Sequence, residues 1–500
     1  DIPFHLTEVT KFGYGSLFNL NEPIFTGTPL KYSFFINWIS GALFKLTGNL
    51  LFSFHLPSML LAAAGAVLTF VIYRKFLKHD WLAALGVIVF MLGAGFGGAI
   101  KTYATYPQQN VDWGAPLTSF FLHQRAFFLG YFLFALAAYC LWRYYETRQW
   151  RFFFPTAIAF GISPMAHYES FVAMGLVIAG VAVAALIKKN FLFFRQALLL
   201  LTCGLLIASP QIFYLLSGKT DVFSGASAFI HFRLGWMSQP SSGSVQFSPT
   251  ANALQKLWTY LGFLWINFGI VLIAAMITSA WAVKNKTTAK MAIRLLALAW
   301  VFFFIVQIIQ FQPWDFDNNK LLVYWQFFAV PPILLMLNTA KKPLNIVFIM
   351  LFLVLATVSG IKDAAARLAV PVNQMPVIFT SRDQNLARFI RQHVSQNDLI
   401  ITSDTFLNPA ASLAGMPALV GYPGWLWSHG INYNQRKQAL ADFYRNPLES
   451  TLPETYHASY VLLDQTAKSE WGANESSFDK AFQKVYDDGT HTLYQIEYGE

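Results

Sequence analysis

The chain has 500 residues, of which 55% are hydrophobic and only 12% are charged, and its mean hydropathy is +0.44. A soluble domain usually carries about 25% charged residues, so this composition excludes an ordinary soluble protein. The net charge of +10 could indicate nucleic acid, but the positions of the basic residues indicate membrane orientation instead.

Apolar segments long enough, or nearly long enough, to cross a bilayer follow one another along most of the chain. In chain order they cover 51–77, 81–100, 126–145, 152–165, 171–187 and 197–216, and four more begin near Leu257, Met291, Leu322 and Leu344. A shorter apolar segment, 32–46, predicts a helix at the membrane surface. The sequence therefore predicts a polytopic α-helical membrane protein with about ten transmembrane helices.

The connecting loops alternate in charge. The basic loops are 74–78, 143–151, 188–195, 284–294 and 341–342, and all fall on one side of the predicted membrane. The positive-inside rule places that side in the cytoplasm and predicts a multi-pass protein of the plasma (inner) membrane. The outer segments are then 1–49, 101–125, 163–169, 217–255, 312–320 and the tail after Gly360. This topology requires that a helix running from inside to outside precede Asp1.

The tail has a different pattern. Ser381 and Gln384 predict a capping box for a helix that ends near His393. The predicted strands are 398–402, 418–421, 460–464 and 492–496, with a helix over 435–444. Alternating strands and helices predict a small α/β domain. We therefore expect a transmembrane domain over 1–365 and a soluble extracytoplasmic domain over 366–500.

Chemically versatile residues concentrate in the outer segments. In the first, Asp1, His5 and Glu8 share one face if the segment is helical. A carboxylate there could act as a general base or hold a metal, and it could equally belong to a solvated loop.

The next two outer segments add Asp112, Arg125, His167 and Glu169. An arginine at the membrane border can bind a lipid phosphate, or it can be an interface anchor. Ionisable groups at membrane depth are functional candidates, although a lone histidine such as His167 is more often structural.

The turn from Gln312 to Lys320 is the densest polar motif, with Asp315, Asp317, Asn318 and Lys320 between two helices. Lys320 begins the next helix, at the depth of a lipid phosphate, and a lysine ammonium suits a phosphate. The alternative is an ordinary polar turn.

The tail segment Gly421–Tyr–Pro–Gly–Trp–Leu–Trp–Ser–His–Gly presents Trp425 and His429. Aromatic faces are common in sugar sites, but this loop could equally dock the soluble domain.

Several of these motifs together resemble the GT-C superfamily of membrane glycosyltransferases, and in particular a largely uncharacterised bacterial branch. The matching features are Asp1 with His5, Phe25–Thr–Gly–Thr–Pro–Leu–Lys–Tyr, Trp314–Asp–Phe–Asp–Asn–Asn–Lys, and the Leu413–Ala–Gly and Gly421–Tyr–Pro–Gly–Trp segments. Ile2 departs from protein O-mannosyltransferases, which have a second acid there, so the acceptor and any metal stay open.

The resemblance implies a hexosyl- or pentosyltransferase that uses a polyprenyl-phosphate-linked sugar. Asp1 would be the general base of an inverting transfer, and Asp112 the second acidic residue. The donor phosphate would be bound by Lys320, Arg125 and Arg233. Acceptor binding or positioning would fall to His5, His167, Glu169, Asp315, Asp317, Asn318, Trp425 and His429. A divalent ion, Mg²⁺ or Mn²⁺, could be held by Asp1, His5, Asp112 and His167.

The implied partners are the polyprenyl-phosphate donor, membrane lipids, and a glycan, lipid or protein acceptor, with no nucleic acid. One alternative is a transporter or flippase of lipid-linked intermediates, for which charged or broken helices near the bilayer midplane would be expected. A second alternative is a non-catalytic envelope assembly protein.

Overall fold

The computed structural model describes residues 1–100, 115–122, 124–216, 230–232, 252–286, 289–311, 318–371 and 374–498. These residues form two compact units. The first contains Asp1–Met59, Gln211–Lys219 and Pro376–Glu500, and the second contains Leu60–Pro210 and Thr220–Met375. These units are defined by contacts between residues, whereas the expected division at residue 365 is defined by membrane topology. That division stays a prediction.

Up to Leu368, the residues that the structure describes are mostly helical. Its helices are α1 (Ile2–Tyr14), α2 (Phe35–Thr47), α3 (Leu50–Leu77), α4 (Asp80–Leu92), α5 (Gly97–Ile100), a π-helix (Leu117–Phe121), α6 (Arg125–Thr147), α7 (Trp150–Ala166), α8 (Tyr168–Ile187), α9 (Phe191–Leu216), α10 (Ala253–Lys284), α11 (Lys290–Ile305), α12 (Lys320–Leu337) and α13 (Leu344–Leu368). Each predicted apolar segment falls on one or two of these helices, so the prediction of a polytopic helical membrane protein is confirmed.

Within the described part of the chain, seven helices are long and apolar enough to cross a membrane. They are α3, α6, α8, α9, the Leu264–Lys284 part of α10, α12 and α13. Helix α4 is apolar but shorter. The count of about ten spanning helices therefore stays a prediction.

Successive helices are joined by very short basic turns. Lys78 after α3, Arg148 after α6 and Lys189 after α8 have φ of 61°, 58° and 53°. This left-handed conformation is uncommon for residues other than glycine. It reverses the chain within two or three residues, which leaves the basic side chains at the helix ends.

The end of α4 is stabilised from α12. The side-chain amide of Gln326 donates to the carbonyl oxygens of Val89, Phe90 and Gly93 at 3.0–3.1 Å. The Val89 carbonyl also accepts the backbone N–H of Gly93 at 2.7 Å. Carbonyls at a helix end otherwise lack helical partners, and lipid offers none. Gln326 is therefore a structural residue of the second unit.

In the first unit, α1 and α2 pack at very short range. A Cβ atom on Gly41 would lie 2.4 Å from Cβ of Phe12, and one on Gly13 would lie 2.3 Å from the Phe44 ring. Small residues of this kind let helix backbones approach closely. Helix α1 also packs on the tail segment Pro409–Ser412, and nearly every side chain of α1 is buried, including its polar ones.

The tail forms the predicted small α/β fold. Its strands are β3 (Leu399–Ile401), β4 (Ala458–Leu463), β5 (Gln483–Asp487) and β6 (Thr492–Gln495), while β1 (His231–Phe232) and β2 (Ile309–Gln310) pair in the other unit. The sheet order is β3-β4-β6-β5, with β3 and β4 parallel and the other pairs antiparallel. The helices around it are α14 (Ser381–His393), α15 (Pro409–Ser412), α16 (Pro423–Ser428), α17 (Asn434–Arg445), α18 (Leu452–Tyr456), α19 (Gln465–Ser469) and α20 (Glu475–Ala481).

Three details differ from the expectations. The capping box of α14 is made by Thr380 and Asp383, one residue earlier than predicted, because the threonine hydroxyl and the aspartate reach each other's backbone N–H. The segment 418–421 makes a single bridge to Ile400, and its other backbone hydrogen bonds go to Pro23, Ile24 and Thr26. Strand β5 was not predicted, because its partly exposed polar sequence lacks an apolar face.

Candidate active site

Asp1 lies at the N-terminus of α1, and its side chain is exposed. One carboxylate oxygen accepts a hydrogen bond from the indole N–H of Trp425 at 3.2 Å. A carboxylate can accept about four hydrogen bonds, so this contact orients the group and leaves capacity for a further donor. The predicted residues Asp1 and Trp425 are thus neighbours in the first unit.

An aromatic cluster joins the tail to α1. The Phe4 ring lies 4.8 Å from Tyr32, 5.4 Å from Trp425 and 5.2 Å from His429. The His429 imidazole stacks on Tyr32 with ring centroids 5.0 Å apart. These contacts hold α16 beside the first outer segment, so Trp425 and His429 have at least a structural role there.

His5 and Glu8 meet at one amide. The Asn37 side-chain nitrogen lies 2.9 Å from Nδ1 of His5 and also donates a short hydrogen bond to Glu8. All three side chains are buried. The arrangement fixes the orientation of the His5 imidazole one helical turn after Asp1.

A second buried carboxylate, Glu22, was not among the predicted site residues. Oε2 of Glu22 accepts the backbone N–H of Lys31 at 3.0 Å and lies 3.9 Å from Nδ1 of His429. Burial raises the pKa of Glu22 from 4.5 to about 7, opposed in part by the Lys31 hydrogen bond and the charge of Lys11. Glu22 therefore titrates near neutral pH, which suits a group that exchanges protons.

The lysines beside Glu22 respond in the opposite direction. Burial lowers the pKa of Lys11 from 10.5 to about 8, although the charges of Glu8 and Glu22 raise it. Burial also lowers the pKa of Lys31. The polar residues of α1 were a signal for this group in the sequence, because buried charges need partners. This signal could not identify Glu22, because no local pattern shows that the loop after α1 is buried, although Lys11 and Lys31 are near Glu22 in sequence.

In the second unit, His167, Glu169 and Lys320 form a buried cluster. Glu169 places Oε2 3.1 Å from Nε2 of His167 and Oε1 3.0 Å from Nζ of Lys320. On the other side of the imidazole, Nδ1 lies 2.8 Å from the Ser170 hydroxyl, which is 2.6 Å from the hydroxyl of Tyr324. Three predicted site residues are therefore in direct contact.

The residues just before α12 have unequal surroundings. Asn318 bonds the backbone of Phe311 and Ile309, both at 3.0 Å, which is a structural role. Asn319 is buried as well, but within the described residues its side-chain oxygen and nitrogen have no hydrogen-bond partner. Such a group costs stability, which makes Asn319 a candidate for contact with a ligand.

Other predicted residues are less defined. Arg125 is buried at the start of α6. Asp112, Arg233, Asp315 and Asp317 lie outside the described residues. Among the residues that are described, no group of three or more His, Cys, Asp or Glu could hold a metal ion. Because the predicted ligand set includes Asp112, metal dependence stays a prediction.

No protein-family model matches the sequence, and a search of curated proteins finds no match. Solved structures do match. The oligosaccharyltransferase of Archaeoglobus fulgidus in the apo form has a TM-score of 0.53 and 10% identity, over 99% of this chain and 70% of that one. ArnT from Cupriavidus metallidurans bound to undecaprenyl phosphate has a TM-score of 0.50 and 11% identity, over 99% and 93%.

Both neighbours are GT-C glycosyltransferases. The chain therefore has the GT-C fold, as the sequence motifs predicted. At 10–11% identity the similarity defines the fold and not the reaction.

Proposed function

We propose that the chain transfers a sugar from a polyprenyl-phosphate-linked donor to an acceptor hydroxyl on the extracytoplasmic face of the membrane. The observation that carries this proposal is an exposed carboxylate, Asp1, oriented by Trp425 at the start of α1 in a chain with the GT-C fold. The two neighbours are enzymes of this class, and one of them was solved with undecaprenyl phosphate.

In the proposed reaction Asp1 takes the proton of the acceptor hydroxyl. The acceptor oxygen forms a bond to the anomeric carbon as the bond from that carbon to the phosphate oxygen breaks. Attack from the face opposite the leaving group inverts the anomeric configuration. The polyprenyl phosphate leaves with the bonding electrons, and the proton on Asp1 passes to solvent.

The leaving phosphate gains negative charge, and fixed cations that meet this charge lower the barrier. Lys320 suits this role because its ammonium has three N–H donors and the buried carboxylate of Glu169 orients it at 3.0 Å. Asn319, the neighbouring residue, would add an amide donor. We assign supporting phosphate contacts to Arg125 and Arg233.

His5 is proposed to position the acceptor, since Asn37 fixes its ring one turn from Asp1. His167, Glu169, Trp425 and His429 would support the bound substrates, as would the 315–318 turn. If a divalent ion takes part, Asp1, His5, Asp112 and His167 are the proposed ligands, and the ion would neutralise phosphate charge.

The reaction can be tested with the purified chain in nanodiscs, polyprenyl-phosphate sugars labelled in the sugar, and a cell-envelope fraction as the acceptor source. We expect label to move to an acceptor, free polyprenyl phosphate to appear in equal amount, and the new linkage to have the opposite anomeric configuration. Movement of the intact donor across vesicles without transfer would instead identify a flippase. Donor-independent binding of envelope components alone would identify an assembly protein.

A further inference from the structure

An apolar groove lies among the helices of the second unit, at the end where the basic loops are. Its volume is about 500 Å³, and it runs between α3, α6 and α8 on one side and α11 and α12 on the other. The lining is almost wholly apolar and includes Tyr73, Leu141, Val177, Leu298 and Phe328. A cavity of this size holds a molecule comparable to a drug or a single lipid chain.

The groove has a cationic mouth. Lys188 and Arg294 are among its lining residues. The guanidinium of Arg294 lies 5.9 Å from the ring of Tyr145, and that of Arg148 lies 4.0 Å from the ring of Phe193. Tyr145 and Phe193 also line the groove. Arg148, Lys188 and Arg294 therefore lie at one end of this apolar groove.

These cations differ from others at the same helix ends. Arg74 pairs with Asp80, and Lys75 and Arg143 pair with Glu146. In the described part of the chain, no carboxylate pairs with Arg148, Lys188 or Arg294. The mouth of the groove therefore carries uncompensated positive charge that an anionic ligand could neutralise.

We propose that this groove binds an anionic glycerophospholipid, with one acyl chain in the groove and the phosphate at Lys188 and Arg294. The apolar lining favours a ligand with a hydrocarbon chain over a soluble anion, and the cationic mouth favours an anionic lipid over a zwitterionic one. Basic pockets between helices on the cytoplasmic side are typical sites for anionic lipid head groups. The basic loops predict that face here, so the site lies away from the proposed chemistry and does not depend on it.

The proposal can be tested with the delipidated full chain in detergent, titrated with phosphatidylglycerol or phosphatidylcholine and read by native mass spectrometry. We expect phosphatidylglycerol to bind at least tenfold more tightly. The double variant Lys188→Gln with Arg294→Gln should lose about 25-fold in affinity for it, which is about fivefold for each cation near an anionic head group. Lys341→Gln removes a basic-loop charge away from the groove and should change the affinity less than twofold.

The apolar half of the site needs its own variant. Ala184 is an exposed residue that lines the groove, so Ala184→Trp should fill it and reduce phosphatidylglycerol binding at least tenfold. Val347→Trp, on the exposed side of α13, is the matched control and should leave binding unchanged. Melting temperatures without lipid check that each variant is folded.

Equal affinity for the two lipids would overturn the proposal, and so would full binding by the folded double variant. Normal binding by Ala184→Trp would show only surface attraction of charge, and displacement of the lipid by millimolar inorganic phosphate would show only an anion site. Either result would also contradict the proposal that an acyl chain occupies the groove.

Discussion

The ammonium of Lys320 lies 3.0 Å from a carboxylate oxygen of Glu169, and this contact joins the first residue of α12 to the first turn of α8. Both side chains are largely buried: 11% of the Lys320 side chain and 4% of the Glu169 side chain are exposed. A buried pair of this kind can be a structural clamp, or it can hold a cation ready for a phosphate.

Two variants separate these roles. If Lys320 binds the donor phosphate, Lys320→Gln should lower donor affinity roughly ten- to a hundredfold, since hydrogen bonds to charged groups contribute about 1.5–3 kcal/mol. Glu169→Gln should lower donor affinity less, because the cation remains. Breaking the pair from either side should lower the melting temperature, since breaking a buried pair costs about 3–5 kcal/mol.

Donor binding and melting temperature must be measured on the same purified samples. Equal losses of stability in both variants, with normal donor affinity in the protein that survives, would make the pair a structural clamp. Lys320→Arg should recover part of the affinity, since it keeps the charge but replaces a compact ammonium with a planar group.

The two asparagines before α12 should behave oppositely. Asn319→Leu removes a buried amide without a partner in the described structure, so we expect equal or higher thermal stability together with slower sugar transfer. Asn318→Leu removes two hydrogen bonds to backbone and should lower the free energy of unfolding by about 1–3 kcal/mol. Thermal unfolding and transfer rates on both variants test this pair. Reduced stability with normal transfer in Asn319→Leu would assign that residue to packing.

Glu22 should make stability depend on pH. Its pKa is raised on folding from 4.5 to about 7 by burial, so its contribution is fully present below pH 4.5 and is lost as the pH rises through 7. Over this window the free energy of unfolding should fall by up to about 1.4 kcal/mol per pH unit. The lowered pKa of Lys11, about 8, acts in the opposite direction and at higher pH.

Melting temperatures between pH 5 and pH 7.5 measure this effect. Glu22→Gln should flatten the curve, while Glu470→Gln, at an exposed site of the same unit, should leave the slope unchanged. An unaltered slope in Glu22→Gln would assign the pH dependence to other groups that face it, such as His429.

The predicted topology can be measured with introduced cysteines. Ser381→Cys and Asn285→Cys should react oppositely with an impermeant thiol reagent in intact cells, and the position at 381 should be the reactive one. Cys140 and Cys203 are the chain's own thiols and should be replaced first. Labelling of position 285 alone would reverse the orientation and move the proposed chemistry to the other face.

The helical fold was predictable because hydropathy and loop charge are properties of short, contiguous segments of the sequence. Helix α3 is predicted by its apolar segment alone, and the loop around Arg148 by its basic residues. The contacts of Asp1 with Trp425, and of Glu169 with Lys320, join residues 424 and 151 positions apart, respectively. No local pattern encodes such pairings, so the sequence identified the candidates but not their partners. Glu22 was missed for a different reason: Lys11 and Lys31 are near it in sequence, but no local pattern shows that the loop after α1 is buried.

The base assigned to the reaction is the central claim, and Asp1→Asn tests it most directly. The asparagine keeps the shape of the side chain and can still accept the Trp425 hydrogen bond, but it cannot take a proton. We predict that sugar transfer falls roughly 10²–10⁴-fold, with donor affinity and melting temperature close to those of the unaltered chain. Asp442→Asn, an exposed carboxylate in the same unit, should transfer sugar normally. Full transfer by a folded Asp1→Asn variant would contradict the assignment of Asp1 as the general base.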